Sequence, residues 1–381
     1  MPEPSTNPFL RPSWRFFAVA NAVALLVVLY AALLRAYRPE LYYVAVQEDL
    51  YLEWATFWAL LLASIAYVPA ARGYRIVTGQ FPWFFAGVAV FCFLVAMEEI
   101  SWGQRVFGYR PPSYFLEQNF QQELNIHNVI DSDIRQLVLQ LVLAGYGMVL
   151  PIAANIRRSG ALLQRARIVA PAIALLPVFA AALILYLWYP WSHSGEWVEM
   201  IMALGFLFGA QEHNHRFSAG EERHILPGIE RGVGLITSSV LVGILGVASV
   251  ALSRAAQDAD PALLTATRAE IAALKRDFAS EQLESACNLH KRLFTFVEEY
   301  GQDHLYHGNF ADLEEQGLPA DRAGFFIDPW NSPYWIRIRC VDETGEVIRF
   351  VYSFGPDRRR DSTDFELRGD DIGAVVLTTE R

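Results

Sequence analysis

Lysine is almost missing from this chain, with two lysines against 29 arginines, a deficit that reads as codon bias rather than function. No HExxH or HxxxH spacing occurs, so a metallohydrolase has no motif behind it. A nucleophile motif, a nucleotide-binding loop and a cofactor fingerprint are missing as well. No basic face is present that would neutralise phosphates, which excludes nucleic acid as a partner. What is abundant is apolar: 53% of the 381 residues are hydrophobic, and the formal net charge is −10. That charge is uneven. Residues 1–230 hold 15 basic and 17 acidic side chains, and residues 231–381 hold 16 and 24. The split predicts a membrane part followed by an acidic, water-soluble part.

Seven hydrophobic segments stand out, at about 16–34, 51–70, 82–100, 134–156, 168–189, 196–213 and 231–253. The first follows Arg11 and Arg15 as a signal peptide would. Its apolar run is longer than a typical signal core and more spans follow, so it reads as a retained anchor. With the N-terminus inside, the short loops place eleven arginines on the cytoplasmic side and five outside, a positive-inside pattern. Trp188, Trp191 and Trp197 fit an interfacial aromatic belt at the outer side. The expected domains are a polytopic membrane part (1–230, six helices), a seventh span and tether (231–254), and an extramembrane part (255–381). This is a bacterial inner-membrane layout, with a membrane all-α bundle and a periplasmic α+β domain.

The outer ends of these spans collect polar residues. Glu98 and Glu99 close the third span, where charge is costly and usually functional or paired. MEEISWGQR (97–105) leads into FLEQNFQQELNIHN, with Glu123, Asn125, His127 and Asn128. His193, Glu196 and Glu199 open the sixth span, with the two glutamates one helical turn apart. Three readings stand side by side. The groups are solvated caps or an ion-pair network with Arg105; or they line a ligand pocket; or they hold a divalent metal and hydrolyse a lipid or lipid-linked substrate. In the enzymatic reading Glu98 or Glu99 is the general base, and His127, His193 and Glu199 are candidate partners. EEISWGQRVFG with ELNIHN is similar to stretches in uncharacterised bacterial multi-pass membrane proteins, which implies no chemistry. His213 and His215, on the inner side beside Arg216, read as a loop cap or a lipid-headgroup contact.

The soluble part predicts one long helix from Ala262 to about Tyr300. Strand-like runs follow at 334–341 and 346–354, joined by a turn at Asp342–Gly345. A loop rich in aspartate leads to a last short strand, AVVLTT. Cys287 and Cys340 fall on the helix and the first strand, and outside the cytoplasm they are able to pair. Cys92 sits in an apolar run as a small core residue.

Several motifs between about 229 and 374 carry a family resemblance. They are DPWNSPYWI (328–336), Glu315-Gln316-Gly317-Leu318, VYSFGPDRRRDSTDFELRGDDIG (351–373) and the span RGVGLITSSVLVGILGV. Together they resemble the major pseudopilin of type II secretion, with Gly232 at the glycine where that family is cleaved. The resemblance implies a membrane helix, a helix packed on a small antiparallel sheet, and calcium in the last loop, where Asp357, Asp361, Asp364, Asp370 and Asp371 offer oxygens. Three departures are notable, the first being that six spans precede the helix in place of a short leader. Thr237 stands where the family has its assembly glutamate, and Val233 replaces the aromatic that follows cleavage. An uncleaved tether presenting a pseudopilin-like domain to a periplasmic protein partner, in a secretion-related or surface-assembly system, follows from these departures. An integral-membrane enzyme with the outer Glu/His site is the competing class.

Overall fold

The structure, a computed structural model, describes residues 14–47, 50–119, 121–217, 230–255, 259–279, 288–300, 318–340, 346–363 and 365–380. It divides into two compact units, one of Met1–Trp102 with Ile130–Ala251, the other of Gly103–Val129 with Leu252–Arg381. The polar connection at 103–129, expected within the polytopic part, thus belongs to the unit that holds the C-terminal sheet.

The first unit is helical: α1 (Trp14–Tyr37), α2 (Pro39–Ala45), α3 (Tyr51–Thr78) and α4 (Trp83–Glu99) lie in it. The second unit contributes the short helices α5 (Gln104–Phe107) and α6 (Ser113–Gln118). The chain then returns to the first with α7 (Ser132–Asn155), α8 (Arg157–Arg165), α9 (Ile173–Trp188), α10 (Ser194–Phe217) and most of α11 (Glu230–Ala255). Among the described residues four helices are long and apolar enough to cross a membrane, namely Trp14–Tyr37, Tyr51–Thr78, Ser132–Asn155 and Val233–Ser253. Helices α4, α9 and α10 fall at the other three hydrophobic segments.

Helix α10 is the centre of this unit. It packs against α3 and α9, and residues from Trp197 to Ala210 are almost continuously buried. A helix enclosed on every side has no polar face to offer water. Glycines set its distances: a Cβ on Gly205 would come within 2.7 Å of the Phe179 ring, so only glycine admits that ring. Helix α7 contains a π-helical stretch, Leu141–Val149.

In the second unit, four strands form one antiparallel sheet in the order β1 (Leu289–Arg292), β2 (Trp335–Cys340), β3 (Glu346–Ser353) and β4 (Ile372–Glu380). Helix α12 (Pro261–Ala279) packs across β3 and β4. Its Ile271 and Leu274 share a core with Ile336, Ile338, Val347 and Val351. The other face of the sheet is aromatic, with Trp335, Phe350, Tyr352 and Phe354.

The single long helix expected from Ala262 to Tyr300 is corrected. Residues 289–292 are a strand paired with Trp335–Ile338, and only Leu293–Tyr300 (α13) is helical again. Asn288, at φ +58°, directly precedes the strand, in a left-handed conformation that asparagine tolerates better than most residues. Leu289 and Leu293 kept a helical spacing in sequence and are buried beside the sheet. Helix α14 (Ala320–Ala323) precedes the DPWNSPYW turn. The turn expected at 342–345 and the first three residues of the Glu315-Gln316-Gly317-Leu318 motif lie outside the described residues. Cys340 is disulfide-bonded and Cys92 is a buried free thiol; Cys287 lies outside the described residues.

Candidate functional site

At the end of α4 the backbone reverses sharply. Ser101, Trp102 and Gly103 take φ values of +46°, +55° and +80°, and Trp102 Nε1 donates to Glu98 Oε1 at 2.7 Å. Glu99 is half-buried and lies in electrostatic reach of Glu98, Glu196 and Glu199. The expectation that Glu196 and Glu199 share a face at the start of α10 thus meets two further carboxylates from α4. Tyr186 of α9 lies in reach of both Glu199 and Arg135, and Arg135 is one of the five arginines expected on the outer side. The Arg105 side chain lies outside the described residues.

His193 sits just before α10 at φ +62°. It is exposed and packs edge-on against Tyr43, 6.0 Å between ring centroids. Tyr42 fixes the same turn by donating to the Ser192 carbonyl at 2.9 Å. His127 lies in the other compact unit and is half-buried. Carboxylates crowded together repel one another unless a proton, a nearby arginine or a bound cation offsets the charge.

The 103–129 segment is a buried amide network. Asn119 Nδ2 donates to the Glu123 carbonyl at 2.7 Å and to Asn125 Oδ1 at 2.8 Å. Asn125 Nδ2 donates to Glu123 Oε2 at 3.0 Å, and Gln104 Oε1 accepts from Leu124 N at 2.7 Å. The segment is tied to the sheet unit by Gln122 Nε2 donating to Phe325 O at 2.9 Å and Asn331 Nδ2 donating to Gly108 O at 2.8 Å. Arg110 adds a contact with Asp321 at 3.3 Å and lies over the Phe325 ring. Glu123, Asn125 and Asn128 were singled out in sequence; Asn119 and Gln122, which hold the network, were not. The only signal for them was the run of amides itself.

The third candidate is the loop between β3 and β4. Asp357, Asp361 and Asp370 each bring one carboxylate oxygen to within 4.8 Å of the others. Asp371 plays a different part: its Oδ2 accepts from Ser362 N at 2.7 Å and Asp361 N at 3.2 Å, which shapes the loop. Asp364 lies outside the described residues. Gly369, at φ +64°, lies where any Cβ would collide with the Asp361 carboxylate. Burial, with Asp370 next, pushes the Asp357 carboxyl up to about 6. Burial pushes Asp371 up to about 7 and also raises Asp370. An all-oxygen, crowded donor set of this kind suits a hard cation such as Ca²⁺. Two arginines of this loop have contacts away from the aspartates: Arg359 donates to Ser253 Oγ, and the Arg358 guanidinium lies against Gly108.

Compared with protein family models, curated proteins and solved structures, the chain finds no match.

Proposed function

We propose that this chain is a seven-span bacterial inner-membrane protein, N-terminus inside, presenting a pseudopilin-like, calcium-binding domain to a protein partner in the periplasm. A type II secretion-related or surface-assembly system is the setting that the motifs favour. The observation that carries the reading is the convergence of Asp357, Asp361 and Asp370 in a loop between sheet strands packed on one helix, where the resemblance expects calcium. Asp357, Asp361 and Asp370 would hold the ion, which on binding cancels their mutual repulsion. The arginine-rich loops support the orientation. The disulfide at Cys340 suits an oxidising compartment. Thr237, in place of the assembly glutamate, favours a permanent tether over a processed filament subunit.

Protease added to spheroplasts tests this directly. The C-terminal unit is expected to be cut from outside in chelator and to resist in calcium. Digestion only after lysis refutes the orientation, and digestion indifferent to calcium refutes the site.

A second reading rests on the four carboxylates Glu98, Glu99, Glu196 and Glu199, as a cation- or lipid-binding site, catalytic or not. Glu99→Gln is expected to abolish activity or binding in that case and to leave calcium protection of the C-terminal unit unchanged.

A further inference from the structure

Near the end of α10 opposite Glu196 lies a second pair of ionisable residues. Glu212 and His213 are 3% and 0% exposed and sit about 25 Å along the helix from Glu196. The His213 ring is enclosed by aromatic rings: Phe85 edge-on at 5.0 Å, Tyr67 at 6.2 Å and Phe217 at 6.4 Å between centroids. His213 Nδ1 lies 3.1 Å from Glu212 Oε2. Neither ring nitrogen of His213 nor Glu212 Oε2 completes a hydrogen bond with any described residue. The two side chains are close enough to share a proton, but their present angles are not those of a hydrogen bond.

The Tyr67 and Tyr146 hydroxyls are 2.7 Å apart; the Tyr67 ring packs near His213, and Glu212 lies in electrostatic reach of both tyrosines. Tyr146 comes from the π-helical stretch of α7, a geometry found mostly as short bulges at functional sites. Gly209, one turn before His213, leaves room for the Tyr67 hydroxyl, since a Cβ there would sit a tight 3.2 Å from it. The ionisable groups acting here are Arg216 on both members of the pair, Glu212 on both tyrosines, and Cys92 of α4 on both tyrosines.

A carboxylate and an imidazole taken out of water avoid carrying separate charges. The cheapest state keeps one proton between them, with the carboxylic O–H facing an imidazole nitrogen. Two donors on adjacent residues fall short of the three or four that a transition metal takes. We propose that Glu212 and His213 form a proton-binding site inside the helical unit, with the Tyr67–Tyr146 hydroxyl pair as its adjoining hydrogen-bonded link. Uptake adds one proton from water to Glu212 Oε2 and changes no other bond; release returns it to water.

Infrared difference spectroscopy on the full chain in lipid nanodiscs, titrated from mildly acidic to mildly alkaline pH, tests this. A carboxylic-acid band that shifts in D₂O, titrates, and disappears in Glu212→Gln is expected. Its midpoint is expected to move in His213→Gln and in Tyr67→Phe. A spectrum in which Glu212→Gln removes no band, or removes one that never titrates, overturns the proposal. Should Glu212→Gln fail to fold, nitrogen NMR of the histidine-labelled wild-type chain decides instead. A His213 resonance that responds to pH supports the shared proton, and one that stays fixed overturns it.

Discussion

Ser353 Oγ donates to Asp328 Oδ2 at 2.6 Å, joining the DPWNSPYW turn to the last residue of β3. The other oxygen of Asp328 accepts from Trp330 N at 2.9 Å and from Ser332 N at 2.8 Å. Ser353 in turn accepts from Gly355 N at 2.9 Å, where the acidic loop begins. One fully buried carboxylate therefore closes the turn and sets the entry to the loop in which the three aspartates meet.

Asp328→Ala removes all three contacts and leaves two buried N–H groups without acceptors. A loss of about 3 kcal/mol in the stability of the C-terminal unit is expected. Asp328→Asn keeps the two backbone contacts and is expected to lose about half as much. Denaturant titration followed by tryptophan fluorescence measures both.

The buried carboxyls make stability depend on pH. Burial raises Asp328 to about 7, Asp357 to about 6 and Asp371 to about 7, from an ordinary value of 3.8. The folded state then holds protons that the unfolded state has released. Stability without calcium is expected to be highest near pH 4 and to fall as pH rises toward 7. Thermal melts in chelator check this, and Asp328→Asn is expected to flatten the slope. Calcium, which needs these loop carboxylates ionised, is expected to bind more weakly as pH falls below about 6.

Glu270 ties α12 to the segment that leads into β2 from within the core. Its Oε2 accepts from the Tyr334 hydroxyl at 2.6 Å and from Arg322 Nη1 at 3.0 Å. Tyr334→Phe is expected to cost about 1–2 kcal/mol. Glu270→Ala, which strands the partly buried Arg322, is expected to cost about 3–5 kcal/mol. Hydrogen exchange across 261–279 reads both losses.

Thiol labelling of the denatured, unreduced chain is expected to modify Cys92 and not Cys340. Cys287→Ser, which removes the partner expected from the sequence, is expected to expose Cys340 to label and to lower stability by about 2–5 kcal/mol.

Much of the helical unit was legible because the hydrophobic runs are long. All seven segments fall on helices, and the one-turn spacing of Glu196 and Glu199 brings both to Glu99. Burial of polar residues was not legible. Glu212 and His213 read as the inner end of a short span, whereas α10 runs on to Phe217 and is enclosed there by Phe85 and Tyr67. Hydropathy cannot report a polar pair that neighbouring helices cover. The break before β1 was hidden for a related reason: leucines at 289 and 293 suit a helix, and the competing ladder to β2 lies more than forty residues away. Amides at Asn119 and Gln122 have no periodicity at all, and their partners are mostly backbone carbonyls.

Calorimetric titration of calcium into the purified full chain tests the central proposal most directly. The full chain is needed because Gly108 and Gln122 form part of the unit that carries the acidic loop. Saturable binding of one ion is expected, weakened at least tenfold in Asp361→Asn/Asp370→Asn. No heat at millimolar calcium, or equal binding by the double variant, would contradict it.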